Sequence, residues 1–353
     1  MGLSINNCGV GIDISSGGPT AQAVGSVLII DSHISDTPVG IKTARTSNSV
    51  PNTGGSLVLE SVLFTNVATA IQYPSSAVGT GSGTRIAPAF VAGNTYSSTG
   101  RTSTQGIIQP FPRPNTLLGG DGHYYTRSKP QYENLPAAQF ASVRESGAKG
   151  DGKTDDTAAL QSIINSATQA GKVVFFDTGV YKVTNTLQIP AGAKIVGESY
   201  PVIMASGAYF QNMNAPVPVV RVGAQDGEAG VVEWSDMVVS TQGPSAGAIL
   251  ISWNLSSPPK TPSGMWDVHT RIGGFAGSDL QLSNCPITAS QPQQQCIAAF
   301  QSMHITEAAG GLYMENVWLW SADHDIDDAT NTKITVYSGR GLHIESKTGN
   351  IWL

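Results

Sequence analysis

Three short blocks near the start of the chain recur at almost fixed distance. Val10-Gly11-Ile12, Val39-Gly40-Ile41 and Thr69-Ala70-Ile71 are separated by 29 and 30 positions. Each follows a similar lead: Leu3-Ser4-Ile5-Asn6-Asn7-Cys8, Leu28-Ile29-Ile30-Asp31-Ser32-His33-Ile34 and Leu57-Val58-Leu59-Glu60-Ser61-Val62-Leu63. Within each lead, apolar residues alternate with small or polar ones, the period of a half-buried strand. Short strands repeating about every thirty residues confine the chain to a solenoid, in which each coil buries its inward face on the next. Terminal coils need a cap. Here the period starts at the third residue without one, so the reading expects earlier coils to be missing.

A second organising stretch begins at Phe140. Gly147 to Gly152 is a glycine-rich turn, and Thr154, Asp155 and Asp156 suit the start of a helix. Asp151, Asp155 and Asp156 are therefore read as turn and cap residues rather than catalysts. Leu160, Ile163, Ile164 and Ala167 then form one apolar helical stripe, which Gly171 ends. Short strand-like runs follow, punctuated by Gly and Pro. One amphipathic helix ahead of many short strands fits a lid on the open first coil of a right-handed parallel β-helix, where sheet edge and core would otherwise be bare.

The fold class read from the sequence is thus all-β, with two tandem solenoid modules. Residues 1–83 are assigned to the last coils of a first β-helix and residues 140–353 to the first part of a second. Residues 84–139, with Pro88, Pro110, Pro112, Pro114, Pro130 and Pro136 among Ser, Thr and Gly, read as a linker. In the second module, Gly311-Leu312 and Gly341-Leu342 lie 30 apart, which predicts that Glu315 and Glu345 stack on adjacent coils. The chain stops at Ile351-Trp352-Leu353 inside a strand-like run, so this module too is expected to be a fragment.

Composition excludes several partners. The net charge is −6, charged residues make up 12% against about 25% in a typical domain, and no run of like charge occurs. Nucleic acid and an anionic membrane surface are therefore poor partners. No apolar run is long enough to span a bilayer, and residues 1–7 do not read as a secretory signal, having neither a basic nor an apolar stretch. Cys285 and Cys296 bracket a Pro- and Gln-rich loop and read as a disulfide, with two free thiols as the alternative. Cys8 is left over and expected to be buried. Asn254-Leu255-Ser256 is a glycosylation sequon at Asn254. His304, His324 and His343 are scattered, and no Asp-rich turn has the EF-hand pattern, so neither metal nor cofactor is expected.

Several long blocks resemble the fungal family 55 glycoside hydrolases, the β-1,3-glucanases. They are 4–12, 127–133 (Arg127-Ser128-Lys129-Pro130-Gln131-Tyr132-Glu133), 196–203, 232–237, 264–274 and 315–328. The opening at 140–200 resembles that family's pectate-lyase-like module. The resemblance covers essentially the whole chain. It implies tandem β-helices joined by a linker, a glucan cleft between them, and a monomeric, extracellular protein. It also implies that β-1,3-glucan is cut from its non-reducing end with inversion, by an acid lying beyond Leu353. A non-catalytic carbohydrate-binding remnant is the first alternative; a calcium-dependent pectate lyase is the second.

An inverting glycosidase needs a carboxylic acid and a carboxylate base about 6.5–9.5 Å apart. Asp323-His324-Asp325-Ile326-Asp327-Asp328 is the densest acidic cluster. On a strand, Asp323, Asp325 and Asp327 would share one face and raise one another's pKa. These residues and Asp328 are read as glucan-binding candidates, with Asp327 and Asp328 as the preferred pair. Polar turn residues are the bland alternative. Trp318 and Trp320 alternate on one strand and can stack on sugar rings or pack in a core. Trp266, His269 and Arg271 form a further candidate sugar-binding edge.

Overall fold

The computed structural model describes residues 1–81, 83–287 and 291–353, with the backbone alone at 84–86. The chain divides into two compact units, residues 1–126 and 127–353.

The first unit opens with β1 (Ser4–Asn6), β2 (Val10–Ile14), β3 (Ser26–Ser35), β4 (Val39–Thr43), β5 (Ser56–Thr65) and β6 (Thr69–Gln72). Strands β1, β3 and β5 pair in parallel on one face of the coil, and β2, β4 and β6 on another. Ser4 pairs with His33, Ser26 with Ser56, Val10 with Val39 and Val39 with Thr69. Those are the sequence offsets of 29 and 30, so the recurring blocks lie on top of one another. Ile12, Ile41 and Ile71 form one inward ladder, and Ile5, Ile34 and Phe64 another. The corner between the two faces falls on Asn7, Asp36 and Asn66, whose φ values are 54°, 48° and 53°. Asn and Asp tolerate this left-handed conformation best among residues with a side chain. Their side chains also join along the column: Asn6 and Asn66 amides donate to the Asp36 carboxylate at 3.3 and 2.7 Å.

Residues 84–139 do not form the expected linker. The parallel stack continues into antiparallel strands β7 (Ala77–Thr80), β8 (Thr84–Ser97) and β9 (Gly100–Ile107). Strand β8 lies along β5, with Ala92 opposite Leu57 and Phe90 opposite Leu59, and Ala89, Phe90 and Ala92 are buried. Alternation of small apolar and polar residues is enough for a strand here, because β5 offers a ready edge. Pro88 falls opposite Ser61, whose φ of 53° already interrupts the ladder, so its missing N–H costs little. Residues beyond β9 run back over the unit. Arg113 reaches the carboxylates of Asp31 and Glu60 at 2.8 and 2.7 Å and lies over the Tyr124 ring at 4.7 Å, while the Tyr124 N–H donates to Asp31. Prolines here shape a strap, not a free tether.

The second unit begins with β10 (Phe140–Ser142), β11 (Asp151–Asp155) and α1 (Thr157–Gln169). Leu160, Ile164 and Ala167 are buried. The helix ends in a Schellman turn: Lys172 N–H bonds to Ala167 O, Gly171 N–H bonds to Thr168 O, and Gly171 has φ +67°. At its amino end Asp155 accepts the Thr157 amide at 3.1 Å as a cap residue would, whereas the side chain of the N-cap residue Asp156 makes no cap bond. Its carboxylate accepts the amides of Lys149 and Gly150 and so pins the glycine turn. Next come β12 (Val173–Phe176), β13 (Val180–Val183), β14 (Leu187–Ile189), β15 (Lys194–Gly197) and β16 (Val202–Ala205). Gln161 on α1 closes the edge of β14: its side-chain amide donates to Gln188 O and accepts from Gln188 N. The helix thus satisfies backbone groups that a further coil would otherwise pair.

Later coils carry β17 (Val217–Val222), β18 (Glu228–Ala229), β19 (Glu233–Thr241), β20 (Ala248–Trp253), β21 (Leu255–Ser256) and β22 (Ser263–Ile272). They are followed by β23 (Ile297–Ile305), β24 (Leu312–Glu315), β25 (Leu319–Ser321), β26 (Tyr337–Ile344) and β27 (Ile351–Trp352). All pair in parallel. Val174, Ile195, Trp234, Met265 and Met314 stack as one buried ladder, and Ile189, Val222, Trp253 and Ile305 as another. The protein is a parallel β-helix in both units. Coil length varies in the second: Val174 lies against Ile195, but Ile251 lies against Met303. The Gly-Leu spacing misleads for this reason. Leu312 stacks on Ile351 and Leu342 on Met303, in different sheets, so Glu315 and Glu345 are not neighbours on adjacent coils.

Candidate functional site

The outer face of β22 is where the sequence candidates collect. Its corner residue Asp267 has φ 55°, with Asp236 (59°) and Asn316 (53°) at the same corner of the adjoining coils. Lys129 fixes the first pair, at 2.7 Å from Asp236 and 2.9 Å from Asp267, and the Asn316 amide donates to the far oxygen of Asp267. Burial acts to raise the Asp267 pKa, but Lys129 and Asn316 outweigh it and hold the group below its usual range. Two residues past each corner the side chains turn outward, which brings His269 and Trp318 together.

A row of rings results. Tyr200 stacks on His269 at 5.5 Å, His269 meets Trp318 edge-on at 6.5 Å, Trp318 stacks on Trp320 at 5.2 Å, and Trp320 leans on His324 at 5.4 Å. Trp318 is 59% exposed, so one indole face is open to solvent. His269 Nδ1 accepts the backbone N–H of Trp318 at 3.1 Å, which places its ring proton on Nε2. Burial pushes the His269 pKa down, against the pull of Asp267 and Asp236, so the ring is neutral near pH 7.

Arg271 lies beside this row, opposite Trp320 in the ladder, with its guanidinium 4.2 Å from the Phe275 ring centre. Phe275 in turn covers an outer apolar patch of Val202, Met204 and Val238. Burial lowers the Arg271 pKa, and Asp327 opposes that shift. Its Nε is buried without a hydrogen-bond partner among the described residues. A buried donor left unpaired in this way is a cost to the fold.

The acidic cluster is a set of turns, not one strand face. Asp323 pairs with Lys333 at 2.6 Å and His324 at 2.7 Å, which lower its pKa to about 2. Asp325 is 4% exposed; burial would raise its pKa, but the Leu282 amide, the Gln281 side chain and the Asp327 amide lower it on balance. Asp327 accepts the Ala276 N–H at 2.5 Å. Asp328 takes the hydroxyls and amides of Thr330 and Thr332, which depress its pKa strongly. The expected mutual elevation is therefore corrected. Asp323, Asp325 and Asp328 find local donors first, and donors to the charged form lower a pKa. Asp323, Asp325 and Asp328 are ionised at neutral pH and have no proton to give.

Trp266 leaves the candidate set as well. It is 1% exposed, its indole N–H donates to Arg127 O, and the Arg127 guanidinium lies over its ring at 5.2 Å. Residues 127–132 form a strap that also ties Arg127 and Tyr132 to Glu233. Asn254 is not placed to carry a glycan: it is 6% exposed, its amide donates to Gly223 O and its oxygen accepts from Ser252. Cys285 and Cys296 form a disulfide, and Cys8 is exposed rather than buried. Tyr200 and His324 join the row without having been singled out as site residues. Tyr200 precedes Pro201 in a turn, the one local signal for it; its contact with His269 depends on coil stacking.

A family model described as Rhamnogalacturonase A/epimerase, pectate lyase-like, matches residues 140–254. The chain is 43% identical to a glucan 1,3-beta-glucosidase of Cochliobolus carbonum, across 100% of this chain and 44% of that protein. It is 35% identical to a probable glucan endo-1,3-beta-glucosidase of Arthroderma benhamiae, across 99% of this chain and 51% of that one. A Penicillium expansum protein named Non-secreted LysM effector LysM15 is 34% identical, across 99% and 25%. The chain spans about half the length of the two glucosidases it matches. A coiled parallel β-helix, a pectate-lyase-like segment and similarity along its whole length place this chain in the family of fungal β-1,3-glucanases with the pectate-lyase-like fold.

Proposed function

We propose that the chain is part of an extracellular β-1,3-glucan hydrolase and that the ring row on the outer face of β22 and β25 holds the polysaccharide. The observation that carries the reading is the open face of Trp318, which meets His269 edge-on and stacks on Trp320. A pyranose ring is apolar across its C–H face and polar around its rim. It can lie on an indole while its hydroxyls find donors and acceptors at the edge. The exposed Asp327 carboxylate is such an acceptor. Covering roughly 60–80 Å² of indole stabilises binding by about 1.5–2 kcal/mol.

In this reading Asp323, Asp325 and Asp328 shape the surface, and another residue supplies the proton to the leaving oxygen. Similarity to proteins named glucosidases favours hydrolysis over a lyase reaction. The Cys285–Cys296 disulfide supports an oxidising, extracellular setting.

Laminarin affinity and glucose release test the reading together. Trp318→Ala is expected to weaken laminarin binding about 10–30-fold, the equivalent of that stacking energy, with no change in Tm. Binding without glucose release would support a carbohydrate-binding role alone. Equal affinity of wild type and Trp318→Ala would remove the ring row from the site.

A further inference from the structure

Away from the ring row, two histidines that are distant in sequence meet on the outer face of another sheet. His304 on β23 and His343 on β26 are direct partners in the parallel ladder. Their rings stack 5.3 Å apart and 11° from parallel. Glu345, one residue beyond β26, turns its carboxylate to both: His304 Nε2 is 2.7 Å from one oxygen and His343 Nε2 is 3.9 Å from the other. The three possible donor atoms lie within 4.8 Å of one another, and none of the side chains is sealed from solvent.

We propose that His304, His343 and Glu345 form a binding site for one divalent transition-metal ion of the zinc class. Two imidazole nitrogens and one carboxylate oxygen are the donor set that Zn²⁺ and its neighbours favour, whereas Ca²⁺ and Mg²⁺ favour oxygen alone. Adjacent coils hold the two histidine backbones at fixed register, so the ligand pair is organised before the ion arrives. Zn–N bonds of about 2.0–2.1 Å in tetrahedral geometry require nitrogens about 3.3 Å apart. Rotation of the two side chains supplies that approach without moving either strand. Glu345 already bridges the histidines on the side where the ion would sit, and a water completes the shell. Arg340 is close enough to act on Glu345 electrostatically, and it works against a dication. The site is therefore of micromolar rather than structural-zinc strength. An ion held here joins β23 to β26, adding metal bonds to the backbone ladder and the His304–Glu345 contact between these coils.

Calorimetric titration of the untagged full chain with Zn²⁺, and separately with Ca²⁺, tests the inference. One Zn²⁺ per chain with a dissociation constant of roughly 1–50 μM is expected, with no heat from Ca²⁺ at that concentration. His304→Gln and His343→Gln keep side-chain size and should each weaken Zn²⁺ at least about tenfold; Glu345→Gln should weaken it less. Zn²⁺ should raise the Tm of the wild type and leave that of His304→Gln/His343→Gln unmoved. Zinc binding of equal strength in that double variant would overturn the assignment, as would no binding below millimolar zinc. The Tm of each variant without metal shows that it is folded, so a lost signal reports lost ligands.

Discussion

Arg113→Ala tests whether the stretch after β9 holds the first unit together. The Arg113 side chain is 16% exposed, and its partners Asp31 and Glu60 are 2% and 5% exposed. Alanine removes the one cation facing both carboxylates among the described residues and leaves two charges in a nearly dry setting. Breaking a buried pair from one side costs about 3–5 kcal/mol. Asp31 keeps the Tyr124 amide at 2.8 Å, which favours the lower end, about 3–4 kcal/mol. That corresponds to roughly 10²–10³-fold faster exchange from opened states. Hydrogen–deuterium exchange of peptides covering β3 and β5 reads this directly. All six tryptophans lie between Trp234 and Trp352, so indole fluorescence in urea serves as a control on the second unit and should not change. The variant Arg113→Met/Asp31→Asn/Glu60→Gln removes every charge together and should recover most of the loss. Unchanged exchange in Arg113→Ala would refute the strap and return residues 108–126 to the status of a tether.

Three further outcomes follow from the second unit. Gln161→Ala strips the edge of β14 of its side-chain pairing and should cost about 1–3 kcal/mol in urea unfolding, because the Gln188 amide and carbonyl lose their partner. Cys285→Ala/Cys296→Ala opens a loop of sequence separation 11 and should cost about 3 kcal/mol, read as a lower unfolding midpoint under non-reducing conditions. Asp323 has its folded pKa lowered to about 2 by Lys333 and His324. Its contribution to stability is therefore present above the unfolded value near 3.8 and fades as pH falls through about 2. Carboxyl NMR should show a midpoint near 2 in the wild type and a higher one in Lys333→Met.

Much of the architecture is legible in the sequence because it repeats or is local. The 29- and 30-residue offsets of the Val-Gly-Ile blocks return as ladder register, and the stripe from Leu160 to Ala167 with Gly171 behind it returns as a helix and its Schellman turn. Contacts set by distant chain are harder to read. Thr84 to Ile107 has the composition of a loop, and only the waiting edge of β5 makes it a hairpin. Trp266 sits on a strand beside His269 and Arg271, but a strap more than a hundred residues earlier decides that it is buried. The Asp run misleads for a different reason. Short acidic side chains in a turn find the nearest amides and hydroxyls before they can act on one another.

The uneven coils of the second unit carry one more consequence. A rung advances the column by a single strand spacing of about 4.8 Å, whether the chain spends the residues from Val174 to Ile195 on it or the longer run from Ile251 to Met303. Contour length and axial height are therefore uncoupled. Whole excursions can be added or trimmed at the bends while the stack above and below keeps its pitch, which lets a scaffold of this type change what it displays without changing what holds it up.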